Sequence, residues 1–205
     1  MKKFLMMAAL AVFAIAQPVY AKDVVEAKPS ATGEYEFDKA HTQILFFVSH
    51  LGFSMSQGEF LDFDGEIKFD DQNPEKSSVD VTIQTASIDM DHEKWDNHMK
   101  NKDFFDVENF PTMTFKSTDI EVFGDKVANI AGDLTILDVT KPVTLATVYN
   151  KSAVHPYSGR FVSGFSATAK IKRSDFGMTY GLPGVGDDVE IRIEVEAMRK
   201  NGVNK

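Results

Sequence analysis

The chain has 205 residues, and its 22 Lys and Arg against 31 Asp and Glu give a net charge of −9. This acidic balance argues against binding to nucleic acid and against electrostatic docking on anionic lipid. Cysteine is absent from the sequence, which excludes disulfides, thiolate metal ligands and thiol catalysis.

The first residues have the pattern of an export signal. Lys2 and Lys3 precede an apolar run over residues 4–16, and small or permissive residues follow at 19–21. This pattern predicts a signal peptide over residues 1–21, with cleavage after Ala21 and no membrane span in the mature protein. An uncleaved anchor is the alternative, although the run is short for a membrane span.

Residues 22–33 are polar and show no periodicity, so they are predicted to be a flexible N-terminal segment. Residues 34–199 are predicted to form a single domain, and residues 200–205 a C-terminal tail. The first full strand, residues 43–50, is apolar on both faces, which requires a second layer over its outer side.

Seven further stretches carry apolar residues on one face and polar or small residues on the other, the pattern of half-buried antiparallel strands. These stretches are residues 58–69, 78–86, 113–115, 130–136, 143–147, 165–171 and 189–196.

Residues 88–106 break this alternation and are predicted to be helical. Trp95 and Met99 lie four residues apart and would share one helix face, and Pro111 follows as a stop signal. This helical insertion is predicted to cover the outer face of the first strand, formed by Leu45 and Phe47.

The predicted fold is therefore all-β: an eight-stranded antiparallel up-and-down barrel, lipocalin-like, with one helical insertion. Long consecutive strands favour a barrel over a sandwich, and eight strands enclose either a filled core or space for one small ligand. Small residues on inward faces, such as Thr147 and Ala167, favour an open interior. A filled core remains the alternative.

The inward faces and the helical insertion together predict an apolar ligand-binding lining, and Phe, which has no polar group, is the commonest aromatic residue in the chain. The predicted lining consists of Ile44, Phe46, Val48, Phe63, Ile67, Val81, Ile83, Trp95, Phe115, Leu134, Ile136, Leu145, Phe165, Phe176 and Ile193.

Three polar residues are candidates for a ligand contact at a barrel mouth: His41, His50 and Arg173. The two histidines stand at the ends of the first strand, about 30 Å apart, so they do not share a metal. A structural role in a turn is the alternative for each. Arg173 is expected either to pair with Asp175 at the rim or to meet a phosphorylated head group.

Another cluster contains His92 and His98, which are six residues apart and therefore on different sides of a helix. It is interpreted as a solvated helix face rather than a metal site. We identify no catalytic residue, metal site or cofactor in the sequence.

Six motifs carry a resemblance to a known family. They are Asp38-x-x-His41-Thr-x-Ile-x-Phe-x-Val-x-His50-x-Gly, Gly58-x-Phe60, Asp103-Phe-Phe-Asp-Val-Glu-Asn-Phe-Pro111, Gly132-Asp-Leu-Thr-Ile, Val139-Thr-Lys-Pro-Val and Arg173-Ser-Asp-Phe-Gly177. In this order they resemble the YceI-like polyisoprenoid-binding proteins. The sequence departs from the family at Leu137-Asp138, where a Gly is usual.

The resemblance implies a lipocalin-like barrel in the periplasm, with a polyisoprenoid or similar long-chain lipid in an apolar pore. The main hypothesis is a non-enzymatic carrier of that lipid. One alternative is an enzyme that acts on a lipid or quinone at the barrel mouth through His41, His50 or Arg173. A stress-response interaction scaffold is the other. The sequence leaves the oligomeric state open, a homodimer included.

Overall fold

The computed structural model describes residues 29–200, so the predicted signal peptide lies outside the described residues. In this range no helix is long and apolar enough to cross a membrane. The described chain forms eleven strands and one α-helix, α1 (Glu93–Met99). The strands are β1 (Gly33–Phe37), β2 (Gln43–His50), β3 (Ser54–Phe60), β4 (Phe63–Phe69), β5 (Ser78–Gln84), β6 (Ile88–Asp89), β7 (Thr112–Phe123), β8 (Val127–Ile136), β9 (Val139–Val154), β10 (Phe161–Lys172) and β11 (Val185–Arg199).

These strands form an antiparallel barrel with eight strand positions. The barrel closes where β1 pairs with β11, with Tyr35 opposite Arg199 and Phe37 opposite Ala197. Three of the eight strand positions are each occupied by two consecutive strands: β1 and β2 share one position, β3 and β4 the next, and β5 and β6 the third. Every position neighbours the next one in sequence, so the predicted up-and-down barrel is confirmed.

Two turns are shorter than the sequence indicated. Strand β3 already begins at Ser54, opposite His50, so the turn between β2 and β3 contains only residues 51–53. The turn between β8 and β9 contains only Leu137 and Asp138, both with positive φ, of 52° and 58°. Two positive φ values in succession form the mirror-image turn that suits the twist of a hairpin, which explains why a Gly is usual here.

The barrel has two ends that differ in their packing. The upper end carries the turns at residues 51–53 and 137–138 and the loop at 177–184, and the lower end carries the turns at 70–77 and 155–160. The lower end contains a small separate core of Ala31, Tyr35, Phe161 and Ala197, with the guanidinium of Arg199 4.1 Å from the centre of the Phe161 ring. This core separates the barrel interior from solvent on one side of the lower end.

Asp71 attaches the described start of the chain to the lower end of the barrel. Its carboxylate accepts hydrogen bonds from the Oγ of Ser30 at 2.9 Å, the backbone N–H of Ala31 at 2.7 Å and the Oγ1 of Thr32 at 2.5 Å. Burial alone would raise the pKa of Asp71, but these hydrogen bonds outweigh it and lower the pKa from 3.8 to about 2.

We expect Asp71→Asn to lower the free energy of unfolding at pH 7 by roughly 1–2 kcal/mol, since a charge-assisted acceptor is lost at a partly exposed site. Because the folded-state pKa is depressed, the difference from wild type should be present above pH 3.8 and shrink as the pH falls towards about 2. Urea unfolding at several pH values measures it. Asp119→Asn, an exposed aspartate on β7, should change stability little; an equal loss there would contradict the prediction.

Candidate functional site

The barrel encloses one large cavity of about 1300 Å³. This exceeds the roughly 300–1000 Å³ usual for sites that take drug-sized ligands. Along β8 the lining extends from Val127 to Ile136. With about 3.3 Å of rise per residue and a strand tilt near 40°, that length corresponds to roughly 20–25 Å along the barrel axis. The cavity is therefore long as well as large.

All fifteen residues of the predicted apolar lining lie on the wall of this cavity. Their inward orientation follows from the alternation of the strands, although Leu45, between Ile44 and Phe46, also borders the cavity. In β11, for example, Val189, Ile191 and Ile193 line the cavity, whereas Glu190 and Arg192 between them do not. Contact of these side chains with a ligand stays a prediction.

The small inward residues have two different roles. Ala167 and Thr147 face each other across β10 and β9, line the cavity and leave room inside it. Gly132 instead makes room for a neighbour, since a Cβ there would stand 2.4 Å from the Phe115 ring. The predicted open interior is confirmed. The prediction that small inward-facing residues leave space in the interior holds for Ala167 and Thr147 but not for Gly132.

Aromatic rings surround the upper mouth of the cavity. The ring of His98 packs edge-on against Phe104 at 5.1 Å and Tyr180 at 5.2 Å, and stacks at 6.4 Å with Trp95. All four residues line the cavity, as do His50 and His92. The interpretation as a solvated helix face holds in part: no residue of α1 is buried, but His92, Trp95 and His98 also border the cavity.

The helical insertion contains a shorter helix than predicted, and it covers a different face of the first strand. Helix α1 occupies only Glu93–Met99, and the buried Phe105 after it packs edge-on against Phe60 at 5.4 Å. Phe60 in turn contacts the inward-facing Phe46 at 5.8 Å. The insertion thus closes over the inner side of the first strand rather than over Leu45 and Phe47. Inward-facing phenylalanines at the barrel end provide the larger apolar surface for it to bury.

Aromatic packing also narrows the lower part of the cavity. The rings of Phe69, Tyr149 and Phe165 contact one another, with ring centres 5.4–5.7 Å apart. Below them the lining becomes polar, with Asp71 and Lys126. The cavity therefore has a long apolar middle section and a polar group at each end.

Arg173 lies at the cavity wall, but backbone carbonyls occupy its guanidinium donors. Nε donates to the carbonyl of Gly186 at 2.7 Å, and the two terminal nitrogens donate to Met178 and Val185 at 2.9 Å. Burial lowers the pKa of the guanidinium from its ordinary value, against the attraction of the nearby Asp187 charge. The expected pairing with Asp175 does not form, because these carbonyls are the nearer acceptors.

His41 is the one predicted site residue that does not line the cavity. It is exposed on the outside of the barrel, where its Nδ1 lies 2.9 Å from Oδ2 of Asp38. This hydrogen bond raises the pKa of His41 above its ordinary value. The expectation that His41 stands at a mouth is wrong, since residues 38–42 form the turn between β1 and β2 on the barrel wall.

Sequence reasoning missed several residues of the upper mouth, among them His98 and Tyr180. They lie in the helical insertion and in an irregular loop, where period-two alternation gives no signal. The sequence does contain one signal for this mouth: aromatic residues recur from Trp95 to Phe104, and a helix face that contacts only solvent does not require aromatic side chains.

Comparison with known proteins identifies the family of this chain. The model of the YceI-like domain matches residues 35–197. The chain belongs to the YceI-like family. A UPF0312 protein of Ectopseudomonas mendocina is 40% identical over 169 residues, which cover 82% of this chain and 88% of that protein.

Two solved structures show the YceI-like fold. BcnA of Burkholderia cenocepacia aligns with a TM-score of 0.71 and 26% identity, over 78% of this chain and 98% of BcnA. A polyisoprenoid binding domain from Saccharophagus degradans, implicated in plant cell wall breakdown, aligns with a TM-score of 0.64 over 82% of this chain and 99% of that domain. Its identity is 11%, so this likeness concerns the fold alone.

We expect Arg173→Met to lower the free energy of unfolding by about 3–5 kcal/mol, because three backbone carbonyls lose a charged donor. Urea unfolding followed by circular dichroism measures the loss. Arg192→Met, at an exposed arginine that pairs with Glu194, should cost less than about 1 kcal/mol. Near-wild-type stability of Arg173→Met would instead favour a role of this guanidinium in ligand contact.

Proposed function

We propose that this protein binds one long apolar lipid of the polyisoprenoid type inside the barrel and carries it through the periplasm. The observation that supports this proposal most directly is the cavity of about 1300 Å³, whose middle section is lined by aliphatic and aromatic side chains. A long, narrow and apolar space fits an extended hydrocarbon chain better than a compact polar metabolite.

The energetics favour such a ligand without any charge or metal. Each buried methylene contributes about 0.8 kcal/mol, so ten of them offer roughly 8 kcal/mol before the cost of ordering the chain. A polyisoprenoid provides many more such groups. The excess of acidic over basic residues in the sequence keeps the loaded carrier soluble.

The polar end of the ligand is proposed to lie at the upper mouth. His50, His92, His98 and Tyr180 all line the cavity there and offer imidazole and hydroxyl groups for hydrogen bonds. Arg173 is not proposed as a head-group ligand, because it is buried and each of its three guanidinium nitrogens already donates to a backbone carbonyl. The hydrocarbon chain of the ligand would then extend past Phe115 towards the lower end of the barrel.

Family membership supports the same ligand class. The Saccharophagus degradans domain, described as polyisoprenoid binding, has the same fold. A similar fold alone does not identify the ligand of this chain. It supports the proposal because an apolar cavity is what a polyisoprenoid ligand requires.

A carrier is favoured over an enzyme acting at the mouth. Of the three residues on which the enzyme hypothesis depended, His41 is outside the cavity and Arg173 holds backbone carbonyls. His50 remains at the mouth, and the described residues place no carboxylate in hydrogen-bond contact with its ring. An interaction scaffold has no need of an internal cavity, so the open barrel interior favours the carrier over the scaffold.

Export is proposed to place the carrier in the periplasm. We expect the protein from a bacterial host to be recovered in the periplasmic fraction, with Lys22 as its first residue, because Val19-Tyr20-Ala21 fits a signal peptidase site. Cell fractionation and mass spectrometry of the intact protein measure both. Recovery in the cytoplasm with Met1 retained would contradict the proposal.

The ligand is tested by purification without detergent, organic extraction and mass spectrometry. We expect an isoprenoid or other long-chain lipid near one molecule per chain, because the cavity offers it the only large apolar space in the described residues. An empty cavity in every preparation would overturn the proposal.

A matched pair of variants links the lipid to the cavity. Ala167→Phe fills the space beside Thr147 and should reduce the co-purifying lipid by about tenfold, a change equivalent to about 1.4 kcal/mol of binding. Thr168→Phe adds nearly the same bulk on the adjacent, outward-facing position and should leave the lipid content unchanged. Circular dichroism establishes that both variants fold. Equal lipid content in the two variants would place the lipid outside the barrel.

A further inference from the structure

The upper end of the barrel carries a surface that the lipid cavity alone does not explain. Two stretches, residues 48–58 and 176–186, contain no Asp, Glu, Lys or Arg, although such residues make up 26% of the chain. The first contains the turn between β2 and β3, and the second contains the loop before β11. We call these two stretches together the apolar tip.

The two stretches form one surface although they are distant in sequence. The backbone N–H of Leu51 donates to the carbonyl of Gly184 at 2.7 Å, and Val185 pairs with His50. The side chain of Leu51 lies against Gly184, where a Cβ would stand 3.0 Å from it. The tip is therefore held as a unit by backbone hydrogen bonds.

Large apolar side chains of the tip project into solvent. Phe53 is 89% exposed and Leu51 is 58% exposed, with Met55, Tyr180 and Leu182 also exposed. Single exposed apolar residues are ordinary on protein surfaces, but several together with no charge among them indicate an interaction surface.

The lower end gives a useful contrast. Phe123 and Val127 are also exposed there, at 49% and 45%. However, Glu121, Asp125 and Lys126 lie between or beside them in the same hairpin. Among the described residues, two adjoining uncharged loops with several exposed apolar side chains occur at the upper end. At the lower end, the single stretch between Lys151 and Arg160 exposes Val154 and Tyr157.

The tip is continuous with the mouth of the cavity. His50, Tyr180 and Val185 belong to the tip and also line the cavity. Tyr180 contacts His98 at 5.2 Å, and His98 stacks with the half-exposed Trp95 at 6.4 Å. Whatever covers the tip therefore also faces the opening through which a ligand passes.

We propose that the apolar tip inserts into the interfacial layer of a lipid bilayer and places the upper mouth against the membrane. An apolar ligand would then pass between bilayer and cavity without crossing water. The purpose of this docking rests on the proposed lipid-carrier function, whereas the tip itself is argued from exposure and charge.

A bilayer fits the tip better than a second copy of the chain does. The tip protrudes as a hairpin end with Phe53 almost completely in solvent, whereas a stable protein interface needs about 800 Å² of fitted surface on each partner. Two copies of this acidic chain also repel each other. Trp95 and Tyr180 at the tip margin are the residue types that accumulate at membrane interfaces.

The charge of the protein further defines the membrane. Because the tip is uncharged and the chain is acidic, docking should depend on apolar insertion into a bilayer of neutral, zwitterionic head groups. It should change little with salt, and anionic lipid should not strengthen it.

Flotation with phosphatidylcholine vesicles tests the proposal. Protein purified from cells that express the full chain should float with the vesicles, and the double variant Leu51→Asn with Phe53→Ser should float about tenfold less, because two exposed apolar side chains are lost. Asn suits the positive φ of 53° at residue 51. The matched control, Phe123→Ser, removes an exposed ring at the lower end and should float like wild type. All three proteins are compared with identical N-termini, checked by mass spectrometry.

Trp95 provides an independent signal, since it is the single Trp of the chain. Brominated phosphatidylcholine should quench its fluorescence in the wild type and in Phe123→Ser, and much less in the double variant. Replacing part of the lipid with anionic phosphatidylglycerol should not increase the quenching.

Each other outcome overturns the docking proposal. Absence of flotation and quenching shows that the tip does not insert, and loss of flotation in Phe123→Ser alone shows that the lower end docks. A dimer in sedimentation that dissociates in the double variant, without flotation, shows that a second copy covers the tip. Lipid extraction separates this result from the carrier function: lipid in the cavity without flotation leaves the carrier proposal intact, and flotation without cavity lipid leaves only the docking.

Discussion

The pairing of β11 with both halves of the first strand position, β1 and β2, is the interaction on which the structure depends. It joins the first strand to the last, so that each inward-facing side chain is enclosed by neighbours on both sides. An open sheet with the same alternation would expose its apolar face and would have to pack shut against another layer. In the closed barrel the inner apolar face is shielded from water without packing against a second layer. The cavity is the consequence. The anchoring of residues 30–32 by Asp71 supports the same closing strand from below.

The cavity persists because its wall is reinforced locally rather than filled. Phe115 lies over Gly132, and Phe46 lies over Gly58, so each large ring packs against the strand beside it instead of against the opposite wall. Rings that lie flat on their own wall stabilise the barrel through dispersion and burial while leaving the axis free. Ala167 on β10 and Thr147 on β9 leave further room inside the cavity. The same composition arranged with rings pointing to the axis would have given a solid core.

The sequence predicted the parts of this molecule that follow a fixed period. Alternation along β4 and β11 specified which side chains face inward, and every residue of the predicted apolar lining lies on the cavity wall. It could not predict what depends on where loops come together. The role of Arg173 is set by carbonyls 5 to 13 residues away, in the loop before β11 and at the start of β11. The placement of α1 is set by Phe60 and Phe105 at the barrel end. His41 was misplaced because the split between β1 and β2 leaves no trace in the alternation.

The hydrogen bonds of Arg173 have a consequence for how the mouth opens. They join the segment after β10 to the loop at Met178 and to the start of β11 at Val185 and Gly186, so this side of the opening is held by charged hydrogen bonds. The other side, α1, is a helix of two turns held by ring contacts and by the hydrogen bond from the N–H of Met90 to Asp96. Aromatic contacts slide at lower cost than charged hydrogen bonds break. The two sides of the mouth are therefore held by different kinds of contact, charged hydrogen bonds on one side and mainly ring packing on the other.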